Sequence, residues 1–159
     1  MAKDTPSIAK NKIRRSLLAI YDPYPSKSEE NALWQYFQSS CAYCNVFIDP
    51  SSRTGHLDHL ISSTEGGTNN IHNFVLACAR CNGDEKREES WVSFLERKSD
   101  SVLTNIKRKE KIESWAALAP ASELSSELSS ELSEIIKEAL YDFDKSVKKM
   151  RDLRKRIKL

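Results

Sequence analysis

Hydrophobic residues recur at three- and four-residue steps near the start of the chain, which predicts helices there. Over residues 8–20 the larger apolar side chains share one helical face, with lysine and arginine around them. Pro23 ends this helix. Ser26 and Glu29 then have the spacing of a capping box, in which each side chain accepts a hydrogen bond from the backbone amide of the other residue. The first 40 residues are therefore predicted to form two helices.

The last third of the chain has the same helical periodicity over a greater length. Apolar residues follow at three- and four-residue steps through Ile136, Leu140, Phe143, Val147, Met150, Leu153 and Ile157. A Ser-Glu-Leu-Ser repeat over 122–133 precedes them. Residues 121–140 contain five glutamates against one lysine, whereas 141–159 contain eight lysines and arginines against three aspartates. This stripe predicts either a helix that packs on its own domain or a seam with a second helix or a second copy.

The middle of the chain has a different pattern. Short β-prone stretches at 46–48 and 56–61 precede a turn-rich segment at 64–70, and a helix is predicted from about Asn82 through Leu95. Every cysteine and histidine of the protein lies in this region. The chain is therefore predicted to be an α+β protein, mostly helical, with a helical N-terminal extension (1–40), a core (41–98) and a helical C-terminal extension (99–159).

Composition excludes some classes of protein. Charged residues make up 30% of the chain and apolar residues 39%, which is typical of a globular protein in water. The longest uninterrupted apolar run, Phe74–Ala79, is far too short to span a membrane, so no membrane partner is expected. No apolar stretch follows the charges at the N-terminus, so no secretory signal is visible and a cytoplasmic location is expected. The net charge of +2 does not by itself indicate a nucleic-acid binder.

The four cysteines form two pairs of identical spacing, Cys41 with Cys44 and Cys78 with Cys81. Two thiolates separated by two residues can bind one tetrahedral zinc ion from a tight turn, and a second such pair completes a four-sulfur shell. Without an export signal, this spacing favours zinc over a disulfide framework or four unrelated buried cysteines. Because a closed thiolate shell leaves no position for substrate, the zinc ion is predicted to be structural.

His59, Asp58 and Asn82 are the residue types that phosphodiester hydrolysis requires. The reaction needs a base that deprotonates water and a cation that balances the charge developing on the phosphate and the leaving 3′ oxygen. Histidine suits the first task because imidazole is mostly neutral at cellular pH and can accept a proton. A carboxylate and an amide oxygen suit the second, because Mg²⁺ binds few protein oxygens and keeps several waters. We therefore expect His59 to be the base and Asp58 with Asn82 to bind the metal.

The spacing of these residues sets conditions on the site. Adjacent residues of a regular strand point to opposite faces, so Asp58 and His59 can share a site only if the strand bends or ends there. His56 lies two residues before Asp58 and would face the same way, either as a third metal ligand or DNA contact or as a histidine outside the site. Lys86 and Arg87 would either hold a phosphate next to the scissile one or form an ordinary charged helix face.

Taken in order, these motifs resemble those of the HNH endonucleases, which have a zinc-stapled ββα-metal fold. The resemblance covers about residues 41–87 and rests on the first cysteine pair, Asp58-His59, a Gly-Gly-x-Asn loop at 66–69, Asn73, and the second cysteine pair followed by Asn82. It implies that Asp58 and Asn82 hold Mg²⁺ or Mn²⁺ and that His59 activates water. It also implies that Asn73 holds the loop and orients the general base by hydrogen bonding.

The segment is also similar to a phage endonuclease that resolves branched DNA, in which a glutamate at the position of Glu85 serves the site. Two departures from the HNH pattern concern substrate contacts. Lys86 lies four rather than three residues after Asn82, and no proline follows the Asp58-His59 pair. Neither departure removes a residue that the resemblance implies as a metal ligand.

Two classes of function follow from the sequence. The first is a metal-dependent DNA endonuclease, either in a defence, restriction, phage or mobile-element setting or as a branched-DNA or nicking nuclease. The second is a catalytically silent zinc module that binds nucleic acid or a protein. Because Asp58, His59 and Asn82 are all retained, the sequence favours the enzyme. DNA is the expected partner, with the basic run at 145–158 as a candidate backbone contact, and a homodimer through the C-terminal helix is a further hypothesis.

Overall fold

The computed structural model describes residues 5–87, 89–120 and 126–157. The chain divides into two compact units. Residues 1–23 and 121–159 form one, which we call the terminal unit, and residues 24–120 form the other, which we call the central unit.

The described ranges contain five α-helices and two β-strands. In chain order they are α1 (Pro6–Tyr21), α2 (Lys27–Tyr36), β1 (Gly55–His59), β2 (Phe74–Cys78), α3 (Trp91–Lys98), α4 (Val102–Ala116) and α5 (Ser126–Ile157). Two short 3-10 turns, Ser63–Glu65 and Ile71–Asn73, lie between the strands, and a π-helix, Arg80–Lys86, follows β2.

The two strands of the central unit form an antiparallel sheet. Asp58 of β1 pairs with Val75 of β2, and His59 pairs with Phe74. The first four residues of β2 are buried, whereas β1 carries the polar side chains. Because the π-helix follows β2 directly, two strands and a helix occur in the order of a ββα motif. The predicted fold class, mostly helical with a small ββα core, is confirmed.

Helices α2, α3 and α4 share one hydrophobic core with β2. Its largest buried members are Leu33, Phe37, Tyr43, Phe74, Leu76, Phe94, Leu95, Ile112 and Trp115. The indole Nε1 of Trp115 donates hydrogen bonds to the carbonyl oxygens of Phe74 (2.9 Å) and Ile71 (3.3 Å). These two bonds attach the end of α4 to the start of β2, so the sheet that carries Asp58 and His59 has a rigid support.

Helix α2 begins at the predicted capping residues. Ser26 Oγ accepts a hydrogen bond from the Glu29 amide (3.4 Å), and Glu29 Oε2 accepts one from the Ser26 amide (2.8 Å). The predicted capping box at the start of α2 is therefore confirmed. Helix α1 begins at Pro6, and the preceding Thr5 hydroxyl accepts a hydrogen bond from the Ile8 amide (3.3 Å). Both helices predicted for the first 40 residues are present.

One predicted β-stretch is present and the other is not. Strand β1 falls within the predicted stretch 56–61, apart from its first residue, Gly55. Residues 46–48 form no strand and contribute only an isolated bridge between Phe47 and Ser40. Of the three large side chains in this stretch, Val46 and Phe47 are more than half exposed, whereas Ile48 is buried in the core.

The single helix predicted from Asn82 through Leu95 is wrong, because the chain forms two helices there. The π-helix ends at Lys86, and Arg87 has a positive φ of 49°, which no helix can continue. Helix α3 begins after Ser90, whose hydroxyl accepts a hydrogen bond from the Ser93 amide (3.2 Å). Residues 82–90 contain no apolar side chain, so hydrophobic periodicity carried no signal for this break.

The terminal unit consists of α1 and α5, and none of the described residues in either helix is buried. In α5 the predicted stripe is half-buried from Ile136 to Val147 and exposed at Met150, Leu153 and Ile157. The part of the predicted repeat from residue 126 onward lies in α5, and residues 122–125 lie outside the described ranges.

The predicted boundaries at residues 40 and 98 fall inside the central unit, because α2 and α4 pack on the same core as the strands. None of the helices that the structure describes is both long and apolar enough to cross a membrane.

Candidate active site and zinc site

The four cysteines lie together, with their sulfur atoms within 4.8 Å of one another. Cys41 and Cys44 occupy a tight turn that is closed by a hydrogen bond from the Asn45 amide to the Cys41 carbonyl (2.8 Å). Cys78 ends β2, and Cys81 lies in the π-helix. The sulfur atoms of Cys44 and Cys78 are 3.8 Å apart, a separation that fits two thiolates bound to one zinc ion at Zn–S distances of about 2.3 Å.

Hydrogen bonds between the thiols shift the pKa values of three of these cysteines. The pKa of Cys44 is lowered because the thiols of Cys41 and Cys81 donate hydrogen bonds to its thiolate. The contact with Cys44 raises the pKa of Cys41 to about 11, and the contacts with Cys41 and Cys44 raise that of Cys81. A divalent ion would allow all four cysteines to bind as thiolates, so the cluster suggests a zinc site.

The cysteine turn is fixed to the rest of the central unit by backbone contacts. The Ala42 amide donates to the Leu76 carbonyl of β2 (2.8 Å). Arg108 of α4 donates from Nη1 to the Tyr43 carbonyl (2.8 Å). Because Tyr43 lies inside the first cysteine pair, these bonds set the position of its side chain as well as that of the zinc ligands.

Asp58 lies at the centre of a buried polar cluster and is 7% exposed. Its Oδ2 accepts a hydrogen bond from the Tyr43 hydroxyl (2.6 Å), and both of its oxygens lie 3.1–3.2 Å from the Lys86 ammonium. Burial, together with the negative charge of Asp58, raises the pKa of Tyr43 well above its ordinary value. Lys86 also donates to the His59 carbonyl (3.2 Å), so one ammonium group joins Asp58 to the backbone of the next residue.

His59 is the last residue of β1, so the strand ends at the Asp58-His59 pair and the condition set by the sequence is met. The ring packs on Phe74, with 4.0 Å between ring centroids, and Nε2 lies 3.2 Å from the Asn69 Oδ1. Because an amide oxygen accepts, this contact fits the tautomer with the proton on Nε2, in which Nδ1 can accept a proton. The ring borders an open groove of about 800 Å³, here called the His59 groove, which is also lined by Ser62, Glu65, Lys86, Arg87 and Trp91.

Asn73 joins the two ends of the loop that follows β1. Its Oδ1 accepts from the Ile61 amide (3.0 Å), and its Nδ2 donates to the carbonyls of Ile61 (2.9 Å) and Thr68 (2.8 Å). Its own carbonyl accepts from the Leu60 amide (2.8 Å). At Gly67 an added Cβ would lie 1.9 Å from the Ile61 carbonyl oxygen, so only glycine permits this closure.

Asn82 is half-buried in the π-helix, and no described side chain forms a hydrogen bond with its amide. Each hydrogen bond of a π-helix spans one residue more than that of an α-helix. A residue four positions after Asn82 therefore takes about the place that a residue three positions later would take in an α-helix. The wider turn compensates for the one extra residue between Asn82 and Lys86. The Lys86 ammonium therefore reaches the Asp58 carboxylate.

The other predicted site residues have different surroundings. Glu85 is paired with Arg80 and Lys98, both at 2.6 Å, and the hydrogen bond from Lys98 is the main reason that its pKa is lowered. His56 is half-buried, opposite Ala77, and forms no hydrogen bond within the described ranges.

Of the two predicted phosphate contacts, Arg87 is exposed at the His59 groove, whereas Lys86 is 7% exposed and its ammonium faces Asp58. Lys86 therefore does not form the charged surface that was predicted. His72 is half-buried, with its ring 4.4 Å from that of Trp115.

Sequence reasoning missed two residues of this site. Tyr43 was hidden between the zinc-binding cysteines, although a large aromatic residue with one polar atom commonly has a buried hydrogen-bond partner. Asn69 was assigned only to the Gly-Gly-x-Asn loop, although the loop brings its amide to His59. In both cases the partner lies ten or more residues away in the chain, so no short-range spacing in the sequence indicated the contact.

Residues 41–88 match the family model described as HNH endonuclease. The middle of the chain therefore carries an HNH endonuclease domain, as its motifs predicted. The clustered cysteines and the order of two strands and a helix are consistent with the ββα-metal fold of that family. Comparison with curated proteins gave no match. The family suggests a nuclease, which is a hydrolase of nucleic acid, and HNH nucleases act on DNA.

The donor set for a catalytic metal can be tested on the residues themselves. One carboxylate and one amide oxygen are the hard donors that Mg²⁺ or Mn²⁺ prefers, and the amide of Asn82 has no described partner. The carboxylate of Asp58 already has two, Tyr43 and Lys86. The residues therefore fit a divalent ion on one condition, namely that the Lys86 ammonium moves away from Asp58.

Proposed function

We propose that the protein is a metal-dependent DNA endonuclease. The observation that carries the proposal lies inside the segment that matches the HNH endonuclease family. There, His59 borders an open groove, with Nε2 bound to Asn69 and Nδ1 left to accept a proton, next to the buried carboxylate of Asp58. A groove of this size admits a phosphodiester chain, and Arg87 at its edge provides a cation for a neighbouring phosphate.

In the proposed mechanism His59 takes a proton from a water molecule that attacks the phosphorus. Asn69 holds the imidazole through Nε2, so that Nδ1 is presented as the base. Asn73 acts as a positioning residue, because its bonds to Leu60 and Ile61 fix the two residues that follow His59. Asp58 and Asn82 would hold Mg²⁺ or Mn²⁺, which supplies positive charge to the phosphate and the leaving 3′ oxygen.

The four cysteines would hold zinc, which serves the fold rather than the chemistry. A four-thiolate shell has no open position, so zinc would act by fixing the turn that carries Tyr43 and the helix that carries Asn82. Glu85 and His56 would have supporting roles in this scheme, Glu85 by fixing Arg80 and Lys98 and His56 as a neighbour of Asp58 on β1.

One observation favours nicking as the elementary activity. The matched segment offers one candidate base, His59, and one candidate metal pair, Asp58 with Asn82, and a single set of these groups would cleave one phosphodiester bond at a time. A single copy would therefore cut one strand for each encounter, and branched or single-strand-interrupted DNA would be a suitable substrate. A restriction, defence, phage or mobile-element setting in the cytoplasm is proposed on the family resemblance alone.

The proposal is tested with purified protein, supercoiled, linear and branched DNA, and Mg²⁺, Mn²⁺ or EDTA. We expect cleavage with either metal, none with EDTA, and a loss of about 10²–10⁴-fold in rate for His59→Ala. His72→Gln is the matched control, since it removes a histidine outside the groove. Zinc content and far-ultraviolet circular dichroism should be those of the wild type in both variants.

Two results would contradict the proposal. Cleavage by His59→Ala at nearly the wild-type rate would remove the assigned base. Binding of DNA without any cleavage, under all metal conditions, would instead support the catalytically silent zinc module.

A further inference from the structure

The terminal unit contains a second groove, formed by the first turn of α1 and the C-terminal half of α5. It has a volume of about 790 Å³ and is lined by Ser7 and Lys10 from α1 and by Lys148, Arg151, Arg154 and Lys155 from α5, among others. It lies wholly within one unit and includes none of the residues assigned to cleavage. We call it the basic groove.

Part of the charge in the basic groove is compensated and part is not. Lys10 pairs with Asp144 (2.7 Å), and Lys155 pairs with Asp152 (3.2 Å). Lys148, Arg151 and Arg154 are all exposed, and no acidic side chain in the described ranges pairs with them. The groove therefore presents a local excess of positive charge, although the net charge of the whole chain is only +2.

The spacing of these three cations indicates the shape of the ligand. They follow one another at three-residue steps along α5, which corresponds to about 9 Å from the first to the last. A single small anion needs cations that converge on one point, whereas a row suits a linear polyanion. In duplex DNA each strand carries one phosphate for about 3.4 Å of helix axis, so the row can face two or three successive phosphates.

The contribution from α1 has the same sign. The first turn of a helix presents backbone amides that have no acceptor within the helix, and Thr5 satisfies only that of Ile8. Pro6 and Ser7 place this turn at the groove, next to the lysine and arginine side chains of α5. The positive end of the α1 dipole therefore adds to the attraction for a phosphate.

We propose that the basic groove binds the sugar–phosphate backbone of duplex DNA, as a contact separate from the cleavage site. The assignment of duplex DNA rather than another polyanion rests on the proposed function. Such a contact reads no bases, so it raises affinity for all sequences alike and makes binding strongly salt-dependent.

The test compares two variants that each lose one lysine and one arginine from α5. Lys148→Gln with Arg151→Gln removes charge inside the groove, whereas Lys149→Gln with Arg156→Gln removes the same charge from exposed positions outside its lining. The full chain, loaded with zinc and kept without added Mg²⁺ or Mn²⁺ to prevent cleavage, is titrated against a fluorescent duplex at several salt concentrations. We expect about tenfold weaker binding for the groove variant, and a plot of log affinity against log salt that is less steep by about two. The control should keep the wild-type slope.

Each other outcome bears on the proposal. Equal losses in the two variants would mean that only net charge matters, and no loss in either would remove the groove from DNA binding, so both results overturn it. Tighter groove-dependent binding of an unstructured RNA or an acidic peptide would overturn the assignment to duplex DNA. If the wild type binds duplex DNA through the groove but cuts nothing with Mg²⁺ or Mn²⁺, the proposed function fails and the groove stands. If the wild type cuts and both variants bind like it, the groove fails and the function stands.

Discussion

The central and terminal units are stabilised in different ways. The central unit buries large apolar side chains from three helices and a strand, and its polar groups, such as Asp58 and Trp115, have specific partners. In the terminal unit no described residue of either helix is buried, and the ion pairs lie at the surface. Chemistry that needs atoms held in place is therefore suited to the first unit, and contact with a long flexible or repetitive partner is suited to the second.

The unfolding of the two units can be followed separately because of where the tryptophans lie. All three, Trp34, Trp91 and Trp115, belong to the central unit. Tryptophan fluorescence therefore follows the central unit alone, whereas far-ultraviolet circular dichroism also follows α1 and the 32-residue helix α5.

The largest effect is expected from loss of the cysteine site. Cys78→Ser should abolish zinc binding and unfold the central unit, because the binding free energy of a structural zinc ion is largely folding free energy. Fluorescence should lose its native form, while a substantial helical signal from α5 remains. Ala79→Ser is the control, since it adds a serine at the neighbouring exposed position. A Cys78→Ser protein that is folded and free of zinc would contradict the structural role of the site.

The next largest effect is expected from truncating a buried side chain of the central unit. Trp115→Ala removes a side chain that is 4% exposed and two hydrogen bonds to the start of β2, and it should lower the free energy of unfolding by about 3–5 kcal/mol. Leu153→Ala, at a position of α5 that is 39% exposed, should change it by less than about 0.5 kcal/mol. Urea unfolding followed by fluorescence and by circular dichroism measures both. Equal effects would mean that the terminal unit has a core of its own.

Prediction from the sequence succeeded where the residues that determine a feature lie close together in the chain. The capping residues Ser26 and Glu29 act within one turn, and the spacing of the cysteine pairs is itself the geometry of the site. Periodicity predicted that α5 is a helix, but it could not tell that Met150 and Ile157 remain exposed. A pattern reports which residues share a face, whereas burial depends on what packs against that face.

The surroundings of Lys86 could not be predicted for the same reason. Its burial depends on the wide turn of the π-helix and on the approach of that helix to β1, neither of which has a signal in the local sequence. The break at Arg87 was also unpredicted, because a positive φ at an arginine follows from the tertiary fold rather than from residue type. The assignment of Asp58, His59, Asn73 and Asn82 to catalysis stays a prediction.

Removing the lysine of an ion pair should lower the free energy of unfolding more in the central unit than in the terminal unit. Lys86→Met leaves Asp58 buried with only Tyr43 as a partner, which should cost about 3 kcal/mol. Lys10→Met removes the exposed pair with Asp144 and should cost less than about 1 kcal/mol. Both follow from urea unfolding of the zinc-loaded protein without added Mg²⁺ or Mn²⁺.

The Lys86→Met variant also tests whether Asp58 binds the catalytic metal. Because the Lys86 ammonium and a divalent ion would compete for one carboxylate, Mn²⁺ should restore part of the stability that Lys86→Met loses and should raise the melting temperature of this variant more than that of the wild type. Asp58→Asn combined with Lys86→Met is the control, and Mn²⁺ should have little effect on it. Equal Mn²⁺ effects on the single and double variants would show that Asp58 is not a ligand.

The smallest effect concerns assembly through the terminal unit. Ile135, Met150, Leu153 and Ile157 are all exposed, and at 3.6 residues per turn they fall along one side of α5, away from Lys148 and Arg151 of the basic groove. The acidic first half of this helix and its basic second half would attract each other in an antiparallel pair of two copies, so we propose a homodimer through this side.

Sedimentation should give twice the chain mass of 18.1 kDa at low salt, with dissociation as salt rises. Ile135→Gln with Leu153→Gln should shift the equilibrium toward monomer, whereas Lys148→Gln with Arg151→Gln should leave it unchanged because those cations lie on another side. A dimer would place two cleavage sites in one particle and allow both strands to be cut in one encounter. A wild-type monomer at all salt concentrations would remove the dimer, and nicked circles would then be the expected first product from supercoiled DNA.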